Sequence, residues 1–251
     1  MKSNLNNPRF NVDYRIGFGH LLPDNALSLP GLMALVQEAS LFHTYAIPGA
    51  FDYYDEKNWV WVLTHWQVEI FDYPKVADNI NIATWPVGYK GFFGERGFEA
   101  IDNAGKPLLY ANSNWILLDR GSFKPVRPTD FIADKYGQTF PYAIAKDFSM
   151  PKVANFLPTT EHVYQATRRD MDTNDHVNNV NYLKWIYDYI PDELYKNRRP
   201  KALKVAYKKE TLPGDTLDIK LFQGQNPAAP ETFAVIEKEG KTATEIYIAW
   251  A

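Results

Sequence analysis

The sequence predicts an α+β fold built from two similar halves, each with one long helix and an antiparallel sheet. Two observations lead to this prediction. A helical apolar pattern followed by several strand-like segments occurs twice along the 251 residues, and the two sets of strands share similar residues at one constant spacing. Because a helix followed by a sheet that covers it makes a two-layer domain, the chain is expected to contain two such domains in tandem.

In the first half, a short strand is predicted over residues 10–16 and a helix begins near residue 29. Ser28 is a suitable N-cap, and Pro30 lies early in the helix, where proline is tolerated. The apolar face of this helix consists of Leu32, Leu35, Val36, Ala39 and Phe42. Segments rich in Trp, Phe, Ile, Val and Thr then predict strands over residues 59–71, 80–87, 92–101 and 108–118.

The second half repeats this order. A strand is predicted over residues 162–167, and strands follow the helix over residues 203–209, 216–222, 232–238 and 243–249. The helical face consists of Val177, Val180, Leu183, Tyr187 and Ile190. The two halves align Val68, Asp78, Ile80 and Ile82 with Val205, Asp215, Leu217 and Ile219. We therefore predict domains over residues 1–120 and 161–251, joined by a proline-bearing connector over residues 121–160.

Composition excludes several classes of protein. The net charge of −3 argues against a nucleic-acid-binding protein, and no apolar run reaches the length of about 18 residues that a membrane span needs. The absence of cysteine removes disulfides, thiolate metal sites and a catalytic thiol. The histidines outside residues 168–182 lack metal-ligand spacing, and the N-terminus resembles no signal peptide. These features predict a cytoplasmic protein with no metal or cofactor.

The most unusual segment, residues 168–182, reads RRDMDTNDHVNNVNY and lies directly before the second predicted helix. Short polar side chains are typical of helix N-termini, and either Asn178 or Asn179 is expected to cap this helix. Capping needs only one or two such residues, whereas this segment also holds a histidine among alternating acids and amides. We therefore predict a functional site here.

The segment resembles the signature of the acyl-acyl-carrier-protein thioesterases, in which two aspartates and an asparagine alternate before an H-V-N-N sequence. Arg168 or Arg169 lies one or two places from the arginine of that signature. The resemblance extends over roughly residues 9 to 249 and includes the strand-forming sequences around Trp66, Trp85 and Trp115. It implies a tandem double hot-dog fold, in which each half is a long helix wrapped by an antiparallel sheet, with the acyl chain held in the N-terminal half.

The resemblance also implies the catalytic residues Asp172, Asn174, His176 and Glu210. Glu210 lies in the sequence YKKET, where plant members of the family carry a cysteine at the position of Thr211. Either Thr211 replaces that cysteine or the mechanism uses no thiol, and we favour the second reading. Hydrolysis then needs a base for the attacking water and donors for the oxyanion. Either Glu210 or Asp172 is the base, and backbone N–H groups near residues 177–179 are candidate oxyanion donors.

A run of basic residues without acids lies between Glu193 and Glu210. It is either a solvated surface or the docking site of an acidic acyl carrier protein, for which we predict Arg168, Arg169, Arg198, Arg199, Lys201, Lys204 and Lys208. The expected function is hydrolysis of fatty acyl carrier-protein thioesters in fatty acid biosynthesis. The alternatives are an acyl-CoA thioesterase, a non-catalytic acyl-binding protein and a dehydratase-type hot-dog protein. A homodimer is possible, although the tandem repeat already supplies internal pairing.

Overall fold

The computed structural model describes residues 9–137, 139–173 and 175–251. Within them the chain forms two compact units. The first unit runs through Thr64 and resumes over Val68–Lys146, and the second contains His65–Gln67 and Asp147–Ala251. Each unit combines one main helix with an antiparallel sheet, so the predicted α+β class is confirmed.

The strands of the first unit follow the predicted segments closely. They are β1 (Phe10–Arg15), β2 (Trp59–Ile70), β3 (Asn79–Lys90), β4 (Phe93–Asp102) and β5 (Pro107–Asp119), in the spatial order β1-β3-β4-β5-β2. The helices are α1 (Leu29–Ala46), α2 (Ala50–Glu56) and α3 (Asp130–Tyr136), and a 3-10 turn covers Phe18–His20. The sequence did not predict α2 or α3, which are only two turns long.

Helix α1 begins as predicted. The Ser28 hydroxyl accepts a hydrogen bond from the Gly31 N–H at 3.2 Å, and Pro30 occupies the first turn. The buried face differs from the prediction near the end of the helix, because Phe42 is 41% exposed whereas His43 is only 8% exposed. Burial at Val36, Ala39 and His43 keeps the spacing of three to four residues that one helix face requires.

The second unit has a similar set of elements. Its strands are β6 (Leu157–Gln165), β7 (Pro200–Tyr207), β8 (Thr216–Gln223), β9 (Glu231–Lys238) and β10 (Lys241–Trp250), in the spatial order β7-β10-β9-β8-β6. The helices are α4 (Asn179–Tyr187) and α5 (Asp192–Asn197), and 3-10 turns cover Val153–Asn155 and Arg168–Asp170. Strand β6 begins and ends earlier than predicted, and α4 is shorter than the apolar pattern suggested, with Val177 and Ile190 buried outside it.

The internal repeat extends to individual backbone hydrogen bonds. Ile16 donates to the carbonyl of Asp78 at 2.8 Å, and Ala166 donates to the carbonyl of Asp215 at 2.9 Å. The predicted correspondence of Asp78 with Asp215 is therefore confirmed. Both aspartates also accept a backbone N–H three residues upstream, at 2.8 Å in the first unit and 2.7 Å in the second. The two units thus share the same connection into the third strand of the repeat, which is β3 in the first unit and β8 in the second.

Residues 141–144, which lie between β5 and β6 in the sequence, form hydrogen bonds to side chains of the first unit. The indole of Trp85 donates to the carbonyl of Pro141 at 2.8 Å. The buried amide of Asn112 accepts from the Ala143 N–H at 3.0 Å and donates to the Ile144 carbonyl at 2.9 Å. These contacts fit the expected surface-packed connector, which also contains α3.

Candidate active site

The polar loop before α4 is organised around Asp170, which is only 4% exposed. One carboxylate oxygen, Oδ2, accepts from the Thr167 N–H at 2.7 Å, the Thr167 hydroxyl at 2.8 Å and the Tyr164 hydroxyl at 3.0 Å. The other oxygen, Oδ1, faces the indole N–H of Trp185 at 3.4 Å. Burial by itself raises the pKa of Asp170, but these hydrogen bonds outweigh it and hold the pKa below its usual value.

The main-chain carbonyl of Asp170 also accepts hydrogen bonds, and these hold the start of α4. Its carbonyl accepts from the Asn178 N–H at 2.8 Å and from the Asn181 side-chain amide at 2.7 Å. Asn178 is the N-cap, because its side chain accepts from the Val180 N–H at 3.0 Å. Of the two predicted caps, Asn178 is therefore the correct one. Asp170 thus holds the loop that carries the predicted catalytic residues at both ends, through its carboxylate at Thr167 and through its carbonyl at Asn178 and Asn181.

Asp172 and His176 face each other across a tight turn. The Asp172 N–H donates to the His176 carbonyl at 2.8 Å, and the Asp175 N–H donates to the Asp172 carbonyl at 3.2 Å. Asp175 adopts a left-handed conformation with φ of 60°, which aspartate and asparagine tolerate better than most residues. This conformation explains the dense short polar residues at the tip of the turn. Asn174 lies outside the described residues.

Two hydrogen bonds join this loop to the segment that follows β7. The Val177 N–H donates to the carbonyl of Thr211 at 3.0 Å, and the Tyr207 hydroxyl donates to the carbonyl of Asn179 at 2.9 Å. They place the His176 side chain against the Glu210 carboxylate, with 3.2 Å between His176 Nε2 and Glu210 Oε2. Both side chains keep solvent exposure, so the pair is accessible to a substrate.

Thr211 does not share this accessibility. It follows Glu210 directly, but its side chain is turned into the unit and the residue is only 1% exposed. Its hydroxyl neighbours Tyr182, whose pKa is raised by burial to about 12, an effect that Thr211 partly offsets. Thr211 therefore contributes its main-chain carbonyl to the position of the loop, while its hydroxyl is buried.

The backbone N–H groups proposed as oxyanion donors are largely engaged. Val177 donates to Thr211, and Asn178 donates to Asp170. Because each N–H already has a strong acceptor, neither is available to a substrate oxygen without breaking a bond that holds the loop. Val177 and Asn178 are therefore excluded as oxyanion donors while the loop keeps this conformation.

Comparison of the sequence with family models identifies the family to which the chain belongs. The family model of the acyl-ACP thioesterase N-terminal domain matches residues 7–136, and that of the acyl-ACP thioesterase C-terminal domain matches residues 156–251. The chain belongs to the acyl-ACP thioesterase family. Among curated relatives, the palmitoyl-acyl carrier protein thioesterase of Gossypium hirsutum is 28% identical over 218 residues, which are 80% of this chain and 52% of that protein. The chain spans about half the length of the curated relatives that it matches.

Solved structures of thioesterases have the same fold. An acyl-ACP thioesterase from Bacteroides thetaiotaomicron superposes with a TM-score of 0.85 at 24% identity, covering 98% of this chain and 99% of that one. The 12:0-ACP thioesterase from Umbellularia californica also gives a TM-score of 0.85, at 18% identity, covering 97% of this chain and 94% of that one. The predicted tandem hot-dog fold is therefore confirmed.

In this member of the acyl-ACP thioesterase family, the loop of the first unit has the same backbone hydrogen bonds as the candidate-site loop but lacks its reactive side chains. Leu22 donates its N–H to the Ala26 carbonyl at 2.8 Å, as Asp172 does to His176. The bond from Leu27 to the Pro74 carbonyl, at 2.8 Å, likewise corresponds to the bond from Val177 to Thr211. Leu22, Ala26 and Tyr73 thus occupy the places of Asp172, His176 and Glu210, so only the second unit carries an acid–histidine pair at this loop.

The predicted docking residues of this family member differ in their surroundings. Arg168 and Arg169 lie exposed in the 3-10 turn that also contains Asp170. Lys204 pairs with Asp147 at 2.5 Å, and Lys208 pairs with Glu245 at 2.6 Å. The Arg199 guanidinium donates to the Arg198 carbonyl at 2.9 Å, and Lys201 is exposed on β7. A carrier protein would therefore compete with internal acids for Lys204 and Lys208.

Sequence reasoning missed the role of Asp170, although it identified this residue as part of the polar segment. The signal that distinguishes it is the Thr three residues upstream: Thr167 and Asp170 form a capping box in which each side chain accepts from the other's backbone N–H. The donors from Tyr164 and Trp185 come from β6 and α4, and no local pattern reveals those contacts.

Proposed function

We propose that this chain hydrolyses fatty acyl carrier-protein thioesters to a free fatty acid and the carrier thiol. The observation that carries the proposal is the accessible pair of His176 and Glu210, with 3.2 Å between Nε2 and Oε2. Two segments far apart in sequence are joined to form it by the hydrogen bond from the Val177 N–H to the Thr211 carbonyl and by the one from the Tyr207 hydroxyl to the Asn179 carbonyl. Membership of the acyl-ACP thioesterase family supports this choice of reaction.

In the proposed reaction, Glu210 takes a proton from water while the water oxygen bonds to the thioester carbonyl carbon. His176 contacts Glu210 through Nε2, which orients the carboxylate and leaves Oε1 as the oxygen that we assign to the water. The tetrahedral intermediate then collapses, the carbon–sulfur bond breaks, and the carrier leaves as a thiolate that takes up a proton. Because thiols have a pKa of about 8.5, this leaving group needs no strong acid.

Asp172 and Asn174 complete the proposed site by the family resemblance. Asp172 starts the turn that ends at His176, and we assign it to orientation of the imidazole ring. The Asn174 amide is assigned to the substrate oxygen or the water, because an amide both donates and accepts hydrogen bonds. The Asn174 side-chain amide is assigned as the oxyanion donor in place of the engaged backbone N–H groups of Val177 and Asn178. No step in this scheme uses Thr211 as a nucleophile.

The proposal extends to the parts of the chain that bind the substrate. We assign the acyl chain to the N-terminal domain over residues 1–120, catalysis to residues 161–251 and the connection to residues 121–160. The acidic carrier is proposed to dock on the basic residues that include Lys201 and the exposed Arg168 and Arg169. None of the helices in the described part of the chain has the length and apolar character of a membrane span. A cytoplasmic location and a homodimer remain predictions.

The proposal is tested by following thiol release from acyl carrier protein and from coenzyme A that bear the same acyl chain, over several chain lengths. The proposed function predicts a higher kcat/KM for the carrier-protein substrates. A higher value for the coenzyme A substrates would instead identify an acyl-CoA thioesterase. If neither carrier releases a thiol, hydrolysis is refuted, and the binding and dehydratase alternatives replace it. Glu239→Gln, on an exposed turn of the same unit, is the control for Glu210→Gln.

A further inference from the structure

Glu210 lies on a segment that has already left the sheet. Strand β7 ends at Tyr207. The next two residues, 208 and 209, both donate their N–H groups to the carbonyl of Ala243, at 2.7 and 3.1 Å. Two successive donors on one carbonyl mark a bulge, at which regular strand pairing ends. The ladder of the sheet therefore no longer holds the chain at Glu210, and other contacts must place its carboxylate in the candidate site.

Two hydrogen bonds, one on each side of Glu210, tie this segment to the loop before α4. On the far side, the Thr211 carbonyl accepts from the Val177 N–H at 3.0 Å. On the near side, the Tyr207 hydroxyl donates to the Asn179 carbonyl at 2.9 Å. One bond alone would let the two segments turn about it, whereas two bonds at separate points fix their relative position. Of these two, the bond from Tyr207 comes from a side chain, so a substitution can remove it.

Tyr207 has the properties that such a link needs. Burial raises the pKa of its phenol well above the usual value, so the hydroxyl keeps its proton and donates it at neutral pH. The ring packs edge-on against Tyr182, with 5.6 Å between ring centres. A tyrosine side chain is rigid, because it turns about two torsion angles only. The phenol is therefore a rigid spacer between the last residue of β7 and the first residue of α4.

The first unit shows the same backbone without this phenol. The two N–H groups that follow β2, of residues 71 and 72, share the carbonyl of Leu108 at 2.9 and 3.4 Å, and thus repeat the bulge of the second unit. The constant spacing of the internal repeat places Ile70, the last residue of β2, at the position of Tyr207. Isoleucine has no side-chain hydrogen-bond donor. Both units therefore form the bulge, whereas the tyrosine occurs in the unit that carries the acid–histidine pair.

We propose that Tyr207 is a positioning residue of the proposed reaction, because its bond to Asn179 sets the separation between His176 and Glu210. This inference rests on the proposed function, since it assumes that Glu210 activates the water. Without the phenol, the segment after β7 keeps its bulge and its backbone bond to the loop, but it turns about that bond. The contact between His176 and Glu210 is then made for less of the time, and the productive geometry is less populated.

The first test is a double-mutant cycle on kcat with an acyl carrier-protein substrate. Tyr207→Phe should lower kcat about 10- to 100-fold with little change in KM, which is the loss expected from a small misplacement of the base. In the Glu210→Gln background, the same substitution should have little further effect, because the carboxylate that it positions is absent. Wild-type kcat in Tyr207→Phe, or equal losses in the two backgrounds, would overturn the proposal.

Tyr14→Phe is the matched control for this cycle. The Tyr14 hydroxyl also donates to a helix carbonyl, that of Leu35 on α1 at 3.3 Å, but it does so in the first unit. Its removal should leave kcat unchanged, and a loss as large as that of Tyr207→Phe would overturn the assigned role. If Tyr207→Phe does not fold, Tyr207→Ile takes its place in every comparison, since it copies the residue that the first unit carries.

The second test observes the pair itself without turnover, so it separates failure of this inference from failure of the proposed function. NMR spectra of protein with isotope-labelled histidine report the His176 ring. Its signals should shift on Glu210→Gln, because the carboxylate oxygen 3.2 Å from Nε2 is replaced. In the Tyr207→Phe background this shift should be clearly smaller, which would support the inference even if no thioester is hydrolysed. A shift of equal size in both backgrounds would overturn it even if hydrolysis is confirmed.

Discussion

Replacement of Asp170 by Asn tests whether this buried carboxylate holds the candidate active-site loop. The substitution preserves the shape of the side chain and removes its charge. The amide oxygen can still occupy the position of Oδ2, where it accepts from the Thr167 N–H, the Thr167 hydroxyl and the Tyr164 hydroxyl, all within 3.0 Å. The amide nitrogen then faces the indole N–H of Trp185, which is also a donor.

The magnitude follows from these contacts. A hydrogen bond to a charged group contributes about 1.5–3 kcal/mol and a neutral one about 0.5–1.5 kcal/mol, so each of the three bonds to Oδ2 weakens by roughly 1 kcal/mol. With the donor–donor contact to Trp185 included, Asp170→Asn should lower the free energy of unfolding by about 3–5 kcal/mol. Asp192→Asn is a matched control, because its pair with Lys196 on α5 is exposed to solvent and contributes little to stability.

The assay is urea unfolding at several pH values, followed by circular dichroism. Because hydrogen bonding holds the pKa of Asp170 below its unfolded value, its stabilisation is complete above an unfolded pKa of about 3.9. It is lost as the pH falls through the lower folded pKa, and the gap between wild type and Asp170→Asn should close there. A loss below 1 kcal/mol at pH 7, or one equal to that of Asp192→Asn, would refute the assigned role.

Three further predictions concern the reaction. Glu210→Gln should lower kcat at least about 100-fold, as expected for loss of a general base, with an unchanged unfolding curve; near-normal turnover would remove Glu210 as the base. Thr211→Val should keep kcat within about threefold, since the hydroxyl is buried, and a large loss would reopen a nucleophilic role. Reversing the charge of exposed Lys201 should raise KM several-fold for carrier-protein substrates and leave coenzyme A substrates unaffected at matched ionic strength, whereas equal effects on both would argue against carrier docking.

The sequence predicted the elements whose signals are local. Ser28 and Asn178 are the N-caps because a short polar side chain precedes each apolar helix. The correspondence of Asp78 with Asp215 in the internal repeat was predictable because each carboxylate accepts a backbone hydrogen bond in the same tight turn before a strand. Strand periodicity located the sheets to within a few residues.

The structure differs from the sequence prediction where contacts between residues far apart in the sequence determine burial or strand pairing. His43 is buried in preference to Phe42 because Arg96 and Phe10 contact it, and neither residue is near it in sequence. Strand β6 begins at Leu157 because it pairs with β8, although its own residues are largely exposed and lack alternation. The role of Asp170 likewise depends on donors from β6 and α4.

In the candidate site, likewise, the sequence identified the residues but not the contacts that bring them together. The polar segment and Glu210 were identified by resemblance, but their proximity depends on the bond from Val177 to the Thr211 carbonyl. The sequence also suggested backbone N–H groups as oxyanion donors, and the structure shows that those of Val177 and Asn178 already have acceptors. Leu22 and Ala26 correspond to Asp172 and His176 through their backbone hydrogen bonds, a relation that no local sequence pattern indicates.

The most direct test of the central claim is thiol release from a fatty acyl carrier protein by the wild-type protein and by Glu210→Gln, with the acid product identified by mass spectrometry. The account predicts one free fatty acid for each thiol released by the wild-type protein, and at least about 100-fold slower release by Glu210→Gln. Release at the same rate by both proteins, or no release by the wild-type protein, would contradict the account.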